Sequence, residues 1–312
     1  MRPRFSVIVP LYNKEQYVRK AIESVCAQTC TAWERIVVDD GSTDGSEQVI
    51  CEYADRVTII RQPNAGVAAA RNKGVAASKG EYICFLDADD WWLPEFLEEM
   101  NLLIAAYPDA GLYATNYIYY KPGKTHVALN EPTGYMNYPK AYLANGSMPV
   151  TSITACMPRK VFDEMGGFSH GITLGEDFLL WARIAIRYPV AFGSKPLAYY
   201  NNAVPPSLRA TRNLHKPEQH MLFNLDAIER DVAQLEEAQQ RTWHLLLDKL
   251  RVDGLMDYWL SDEYHAAAEK ELAKVKQGKE PYATPIWLLK AKRAYMRMGS
   301  LCKQAVLNVI KR

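Results

Sequence analysis

The chain of 312 residues holds no uninterrupted apolar run approaching the ~18 residues that a membrane-spanning helix needs. It has almost no charge of one sign in excess, because 37 Lys and Arg face 36 Asp and Glu for a net +1. The large basic surplus of a general nucleic-acid binder is therefore missing, and no nucleic-acid partner is expected. Six cysteines, at positions 26, 30, 51, 84, 156 and 302, follow no zinc-ligand spacing, and the six histidines form no metal-spaced cluster. A reduced, cytosolic chain with free thiols is the simplest reading. The familiar phosphate loops are absent too: neither G-x-x-x-x-G-K-[ST] nor G-x-G-x-x-G follows any strand. Hydrophobic residues at 48% and charged residues at 23% are ordinary for a folded globular protein, which excludes disordered and fibrous classes.

Alternating strand and helix patterns fill the first half. Phe5 to Leu11 is β-branched and apolar, a strand buried on both faces rather than a signal peptide. Val18, Ile22, Val25 and Cys26 recur at helical spacing. Glu34 to Val38, Val57 to Ile60 and Tyr82 to Leu86 read as three further strands. The alanine-rich stretch Gly66 to Ser78 reads as a helix able to pack closely on a sheet, and Pro94 as the start of another. This alternation predicts an α/β fold with a mostly parallel sheet and helices on both faces. Leu112 to Tyr120 alternates like a strand, and Gly123 to Met148 reads as loop. Asp177 to Tyr188 carries a helical apolar stripe. Beyond about Arg212 only helices are expected, so the chain divides into residues 1–212, with halves meeting near 110, and a helical region 213–312.

In an open parallel sheet, ligands bind beyond the carboxyl ends of the strands. Polar residues gather at those ends here: Tyr12-Asn13 after the first, Asp39-Asp40 after the second, and Asp87-Ala88-Asp89-Asp90 after the fourth. An aromatic ring with several carboxylates suits a ring to be stacked and a cation to be held. Mg²⁺ or Mn²⁺ on Asp87 or Asp89 would supply the counter-charge that a missing phosphate loop leaves unprovided.

Five segments then occur in order: Val7-Ile-Val-Pro-Leu-Tyr-Asn13, Val37-Val-Asp-Asp-Gly-Ser-Thr-Asp44, Asn64-Ala-Gly66 with Ala70-Arg-Asn-Lys-Gly74, Gly80-Glu-Tyr82, and Phe85-Leu-Asp-Ala-Asp-Asp90. A later one, Gly175-Glu-Asp-Phe-Leu-Leu-Trp181, follows. Together they resemble family 2 of the inverting nucleotide-sugar glycosyltransferases, of GT-A fold, over roughly residues 3–208. The resemblance implies a metal-dependent transferase that moves a sugar, from a UDP-sugar by expectation, to a glycan or lipid-linked acceptor in surface polysaccharide or lipopolysaccharide synthesis. It implies that Tyr12 stacks on the base, that Asp40 accepts a hydrogen bond from it, and that Asp39 shapes the pocket. Pro10, Asn13, Asn64 and Ala88 would line the donor site, with Arg71 at the base or diphosphate. Asp87 would face ribose or the metal shell, Asp89 would ligate Mn²⁺ or Mg²⁺, and Asp177 would be the catalytic base.

Each residue also has a plainer reading. Taken alone, Tyr12 reads as a packed strand-end aromatic, Asp39 and Asp40 as an Asx turn, and Arg71 as a solvated helix residue or an ion-pair partner. Asp90 reads as the cap of the helix near Pro94, and Glu176 and Asp177 as first-turn acids. Trp91 and Trp92 read as core, or one of them would contact donor sugar or acceptor, a contact also open to Glu176. The chain departs from the resemblance after Tyr200, where Asn201 to Ser207 replaces a basic or histidine-containing segment; Arg209 or Arg212 is then the substitute phosphate contact. From Pro281 onward four lysines and three arginines meet no acid and alternate with apolar residues. Such a helix packs on the domain or lies on an anionic membrane, which would put the protein on the cytoplasmic face of the inner membrane. Two other functions stay open: a non-catalytic sugar-nucleotide-binding protein, and a sugar nucleotidyltransferase.

Overall fold

The computed structural model describes residues 4–30, 33–209 and 214–275. A mixed sheet of ten strands forms its centre, in the order β3-β2-β1-β4-β9-β6-β10-β5, with β7 on β6 and β8 on β10. β1 (Phe5–Leu11), β2 (Trp33–Asp39), β3 (Thr58–Arg61) and β4 (Tyr82–Phe85) run parallel, as their unbroken apolar runs predict. Every residue of β1 is buried. β9 (Ala155–Pro158) pairs antiparallel with both β4 and β6 (Leu112–Lys121), and so joins the two halves. β10 (Val190–Asn201) returns parallel to β6, and β5 (Trp91–Trp92) closes the edge antiparallel to β10.

The stretch expected as a loop after Gly123 is largely regular. It holds β7 (Lys124–Val127), β8 (Gly134–Met136) and α5 (Tyr138–Asn145). The turn-forming residues conceal these elements because they sit at the joints: Gly123 at a positive φ of 76°, Asn137 capping α5, and Gly146 ending it. Asp90 is no helix cap either. The short β5 separates it from α4 (Phe96–Ala106), and its Oδ1 instead accepts the Asn201 backbone N–H at 2.7 Å.

Helix α3 (Val67–Ala77) lies against β1 and β2. Gly74 makes that approach: a Cβ there would overlap the Ile8 Cγ2 methyl and press on Val38. Beyond residue 214 the described elements are helical, apart from one isolated bridge between Leu174 and His220. These helices, among them α9 (Glu237–Gly254), share one continuous core with the sheet through Leu222, Trp243 and Leu247. No described helix is long and apolar enough to cross a membrane. The basic segment 281–312 and Arg212 lie outside the described residues. The described cysteines are free thiols.

The Gly74 contact predicts that Gly74→Val destabilises the fold by about 1–3 kcal/mol, the usual cost of overpacking a dense core. Urea unfolding checks it; an unchanged midpoint would show that α3 can lift from the sheet freely.

Candidate active site

The carboxyl ends of β1, β2 and β4 open on one crevice, walled on its other side by the start of α7 (Glu176–Arg187). The β1 and β2 ends are laced together. Asn13, the one non-glycine described residue at positive φ (51°), accepts the Thr43 N–H at 2.7 Å, and its own N–H donates to Ser42 Oγ at 3.1 Å. Asparagine tolerates this left-handed conformation better than most residues. Tyr12, just before it, is 46% exposed, so its ring is free at the rim instead of packed in the core. Pro10 and Ala88 are buried beneath.

Asp39 makes the Asx turn, its Oδ1 accepting the Ser42 N–H at 3.0 Å. Asp40 is buried and holds the loop before α3. Oδ1 accepts Gln62 Nε2 at 2.7 Å and the Ala65 N–H at 2.9 Å, and Oδ2 accepts the Gly66 N–H at 2.8 Å. A carboxylate offers about four acceptor positions, so one on Oδ2 stays unused. Asn64 lies inside that loop, with its backbone N–H against Gly41.

Arg71 is not the open cation expected at a diphosphate. It is 3% exposed and committed to two carboxylates: Nη1 donates to Glu176 Oε1 at 2.6 Å and Nη2 to Asp87 Oδ1 at 2.7 Å. A buried guanidinium must be paired, and these two acids pair it. The same contact commits Glu176, whose side chain is 8% exposed, and removes it from the acceptor side. One residue on, Asp177 is half-buried; it accepts Ser152 Oγ at 3.3 Å and the Phe178 N–H at 2.8 Å. Gly175 makes this placement: its φ is +81°, and a Cβ there would overlap the Met221 side chain. Burial first, and then the Glu176 charge, push the Asp177 carboxyl up to about 6.

Asp89 points into the crevice and meets Lys14. The Lys14 ammonium donates to Asp89 Oδ2 at 2.5 Å and to the Leu208 carbonyl at 2.8 Å. Burial, then the charges of Asp89 and Asp87, hold the Asp90 carboxyl well above the usual carboxylate range. The phenol of Tyr200 on β10 lies within electrostatic reach of four acids. Burial first, then Asp90, Asp87, Asp89 and Asp177, push it upward. Neither Lys14 nor Tyr200 emerges from the sequence reading. Lys14 was legible as the residue after Tyr12-Asn13, whereas Tyr200 needs the register of β10 on β6.

The tryptophans separate. Trp92 is core: 3% exposed, stacked on Phe96, its Nε1 donating to the Ile153 carbonyl at 2.7 Å. It is closed to any sugar. Trp91 stacks on Tyr199 with ring centroids 4.9 Å apart, beneath the Lys20 ammonium. Strand alternation puts it on the sheet face opposite Tyr200. Arg209 turns inward, with Nε donating to the Val204 carbonyl at 2.8 Å.

The profile of Glycosyl transferase family 2 matches residues 6–166. EpsH of Bacillus subtilis, named as a glycosyltransferase, is 42% identical over 118 residues, which are 37% of this chain and 34% of EpsH. TuaG of the same organism, assigned by name to teichuronic acid biosynthesis, is 39% identical over 102 residues, 31% of this chain and 40% of TuaG. The chain thus spans well under two thirds of either relative. TarS of S. aureus, in complex with UDP-GlcNAc, superposes with a TM-score of 0.74 over 87% of this chain and 80% of that one, at 19% identity, which establishes a shared fold.

The doubly paired guanidinium predicts that Arg71→Met costs about 3–5 kcal/mol of stability, because Glu176 is left as a buried, unpaired charge. Adding Glu176→Gln recovers part of that loss by removing the orphan charge. Chemical denaturation of the two variants checks both; a second substitution that worsens the first would break the argument.

Proposed function

The chain belongs to Glycosyl transferase family 2, and on that premise we propose that it transfers a sugar, with inversion, from a UDP-sugar to a hydroxyl of a glycan or lipid-linked acceptor in surface polysaccharide synthesis. The observation that carries this reading is the set of acids gathered around Arg71 at one crevice: Asp87 and Glu176 on its guanidinium, Asp89 two residues from Asp87, and Asp177 beside Glu176. Such a set divides into the two parts that the reaction needs. Cation-binding acids belong at the leaving diphosphate, and a separate base belongs at the attacking hydroxyl.

The donor side is read from Tyr12 to Asp89. Tyr12 offers a free ring for the base, and Asp40 one unused acceptor on Oδ2 for a base N–H. Pro10, Asn13, Asp39 and Asn64 shape that wall. Arg71 acts as a brace: it fixes Asp87 relative to the start of α7, so that donor and acceptor acids keep their spacing. The UDP preference is supported by the fold shared with TarS, whose complex contains UDP-GlcNAc.

We assign a divalent cation, Mn²⁺ or Mg²⁺, to Asp89 with Asp87 two residues before it, although among the described residues no three acids, histidines or cysteines converge as a ready metal centre. The donors are hard oxygens, the acids outnumber the cations among them, and a cationic ammonium, Lys14, already rests on Asp89 Oδ2. When bound, the metal would neutralise charge on the leaving diphosphate. Asp177, anchored by Gly175 and the Phe178 N–H, would take the proton of the acceptor hydroxyl. A carboxyl raised to about 6 is a better base than an ordinary aspartate and is still ionised at neutral pH.

Two pairs of outcomes test the reading. Asp177→Asn lowers transfer on the order of 10²–10⁴-fold, the range for a positioned base, with near-normal affinity for UDP. In the native protein the transfer rate falls as pH drops through about 6, because the base is then protonated. Steady-state rates with released UDP as readout check both; an equal loss of UDP affinity would move Asp177 to the donor side. Asp89→Ala abolishes Mn²⁺ binding, and Lys14→Ala, by removing the competing ammonium, tightens it in the absence of donor. Electron paramagnetic resonance titration of Mn²⁺ follows both; unchanged binding in Asp89→Ala would remove that residue from the metal.

A further inference from the structure

Strand register sets three aromatic residues in a line on the sheet face that holds the acids. Tyr200 on β10 is paired with Tyr119 on β6, and Tyr119 with His126 on β7. Their rings follow the backbone pairing. Tyr119 meets Tyr200 edge-on with centroids 5.6 Å apart, and His126 tilts against Tyr119 at 5.0 Å. Tyr200 is 38% exposed and His126 is exposed, so the line is open to solvent along part of its length. Tyr117 fixes it from beneath: fully buried, it shares a 3.1 Å hydrogen bond with the Tyr119 hydroxyl and donates to the Met148 carbonyl at 3.1 Å. Tyr119 is thereby held by rings on three sides, on a strand and not on a loose loop.

We propose that the row Tyr200, Tyr119 and His126 is the acceptor subsite, a platform on which the C–H face of a neutral pyranose rests with one hydroxyl turned toward Asp177. This rests on the glycosyl-transfer reading above and gives it an acceptor chemistry. Three features select the occupant. Aromatic faces carry partial negative charge, which suits the weakly positive axial C–H groups on one side of a pyranose. The rim of the row is phenolic hydroxyl, which pairs with sugar hydroxyls and would be wasted on an aliphatic chain. The inner end of the row lies beside Asn201, whose N–H is accepted by Asp90 Oδ1 at 2.7 Å next to Asp89, so the acid side of the crevice disfavours a phosphorylated or carboxylated ring more than a neutral, hydroxylated one. The row also gives direction, because it runs from the exposed β6–β7 hairpin inward to the acids, the path that a growing chain end would follow.

The test is saturation-transfer NMR on the full chain with UDP and Mn²⁺ present, using methyl β-D-glucopyranoside and methyl N-acetyl-β-D-glucosaminide as probes. The ring C–H protons of at least one probe take up saturation. Tyr200→Ala and Tyr119→Ala each weaken the apparent affinity about three- to tenfold, the worth of a single aromatic contact. Tyr200→Phe keeps most of it, and Tyr135→Ala, an exposed tyrosine on β8 outside the row, changes nothing. UDP affinity, measured by calorimetry on the same proteins, stays constant and certifies the fold of each variant. Glycoside binding that survives both alanine substitutions, or no binding of either probe, overturns the platform. Glycoside binding lost in Tyr200→Ala alongside a protein that neither binds UDP nor releases it from UDP-sugars keeps the platform and overturns the transferase reading instead.

Discussion

One buried guanidinium sets the dimensions of the crevice. Arg71 rises from a helix that lies on β1 and β2, yet its two bonds reach Asp87 at the end of β4 and Glu176 at the start of α7. These segments are far apart in sequence, and while Phe85 of β4 and Trp181 of α7 meet in the core, this cation ties their polar ends together. Taking a charge out of water costs several kcal/mol per ion, a cost that good pairing geometry must offset. Both contacts are short and the third nitrogen, Nε, has no partner, so the arrangement favours position over stability. Gly74 and Gly175 serve the same end. One lets the helix carrying Arg71 sit close to the sheet, and the other lets the chain turn so that Glu176 and Asp177 face inward.

The acids around this brace divide their charge unevenly. Asp87 and Glu176 share the guanidinium, Asp89 has the Lys14 ammonium, and Asp177 has only a hydroxyl and a backbone N–H. Asp90, buried against Asp87 and Asp89, accepts the Asn201 N–H, and its burial and those two charges oppose its ionisation. The unequal partners give neighbouring aspartates different electrostatic settings, as desolvation and local charge generally do. They also explain why Lys14 rests on Asp89: the site is short of positive charge, and the nearest flexible cation fills the gap.

Much of this was legible in the sequence. β-branched runs marked the parallel strands, and the polar residues after Leu11, Val38 and Leu86 marked the crevice, because strand ends in a parallel sheet all open on one side. The pairing of Arg71 was open as an ion-pair alternative, but its partners were not readable, since they lie 16 and 105 residues away. The fates of Trp91 and Trp92 were hidden for another reason. Adjacent strand residues face opposite ways, and only the pairing of β5 with β10 says which one enters the core.

The proposed acceptor wall was the least legible part, and β10 shows why. In pairing with β6, it advances from Gly193 to Ala198 while β6 advances only from Thr115 to Tyr117. Two bulges around Pro196 absorb the excess, which is odd, so the alternation of β10 is inverted beyond them. Extrapolated from Val190 and Phe192, the pattern would send Tyr199 toward the acids. With the bulges it sends Tyr200 there and leaves Tyr199 stacked on Trp91. A one-residue difference in register exchanges the faces of a whole strand, and no hydrophobic pattern in Leu197-Ala-Tyr-Tyr200 reports it. Pro196, which has no N–H to give a regular ladder, is the local reason that the bulges fall where they do. The side chains proposed for the acceptor row are therefore decided several residues upstream, at a proline that does not itself reach the row.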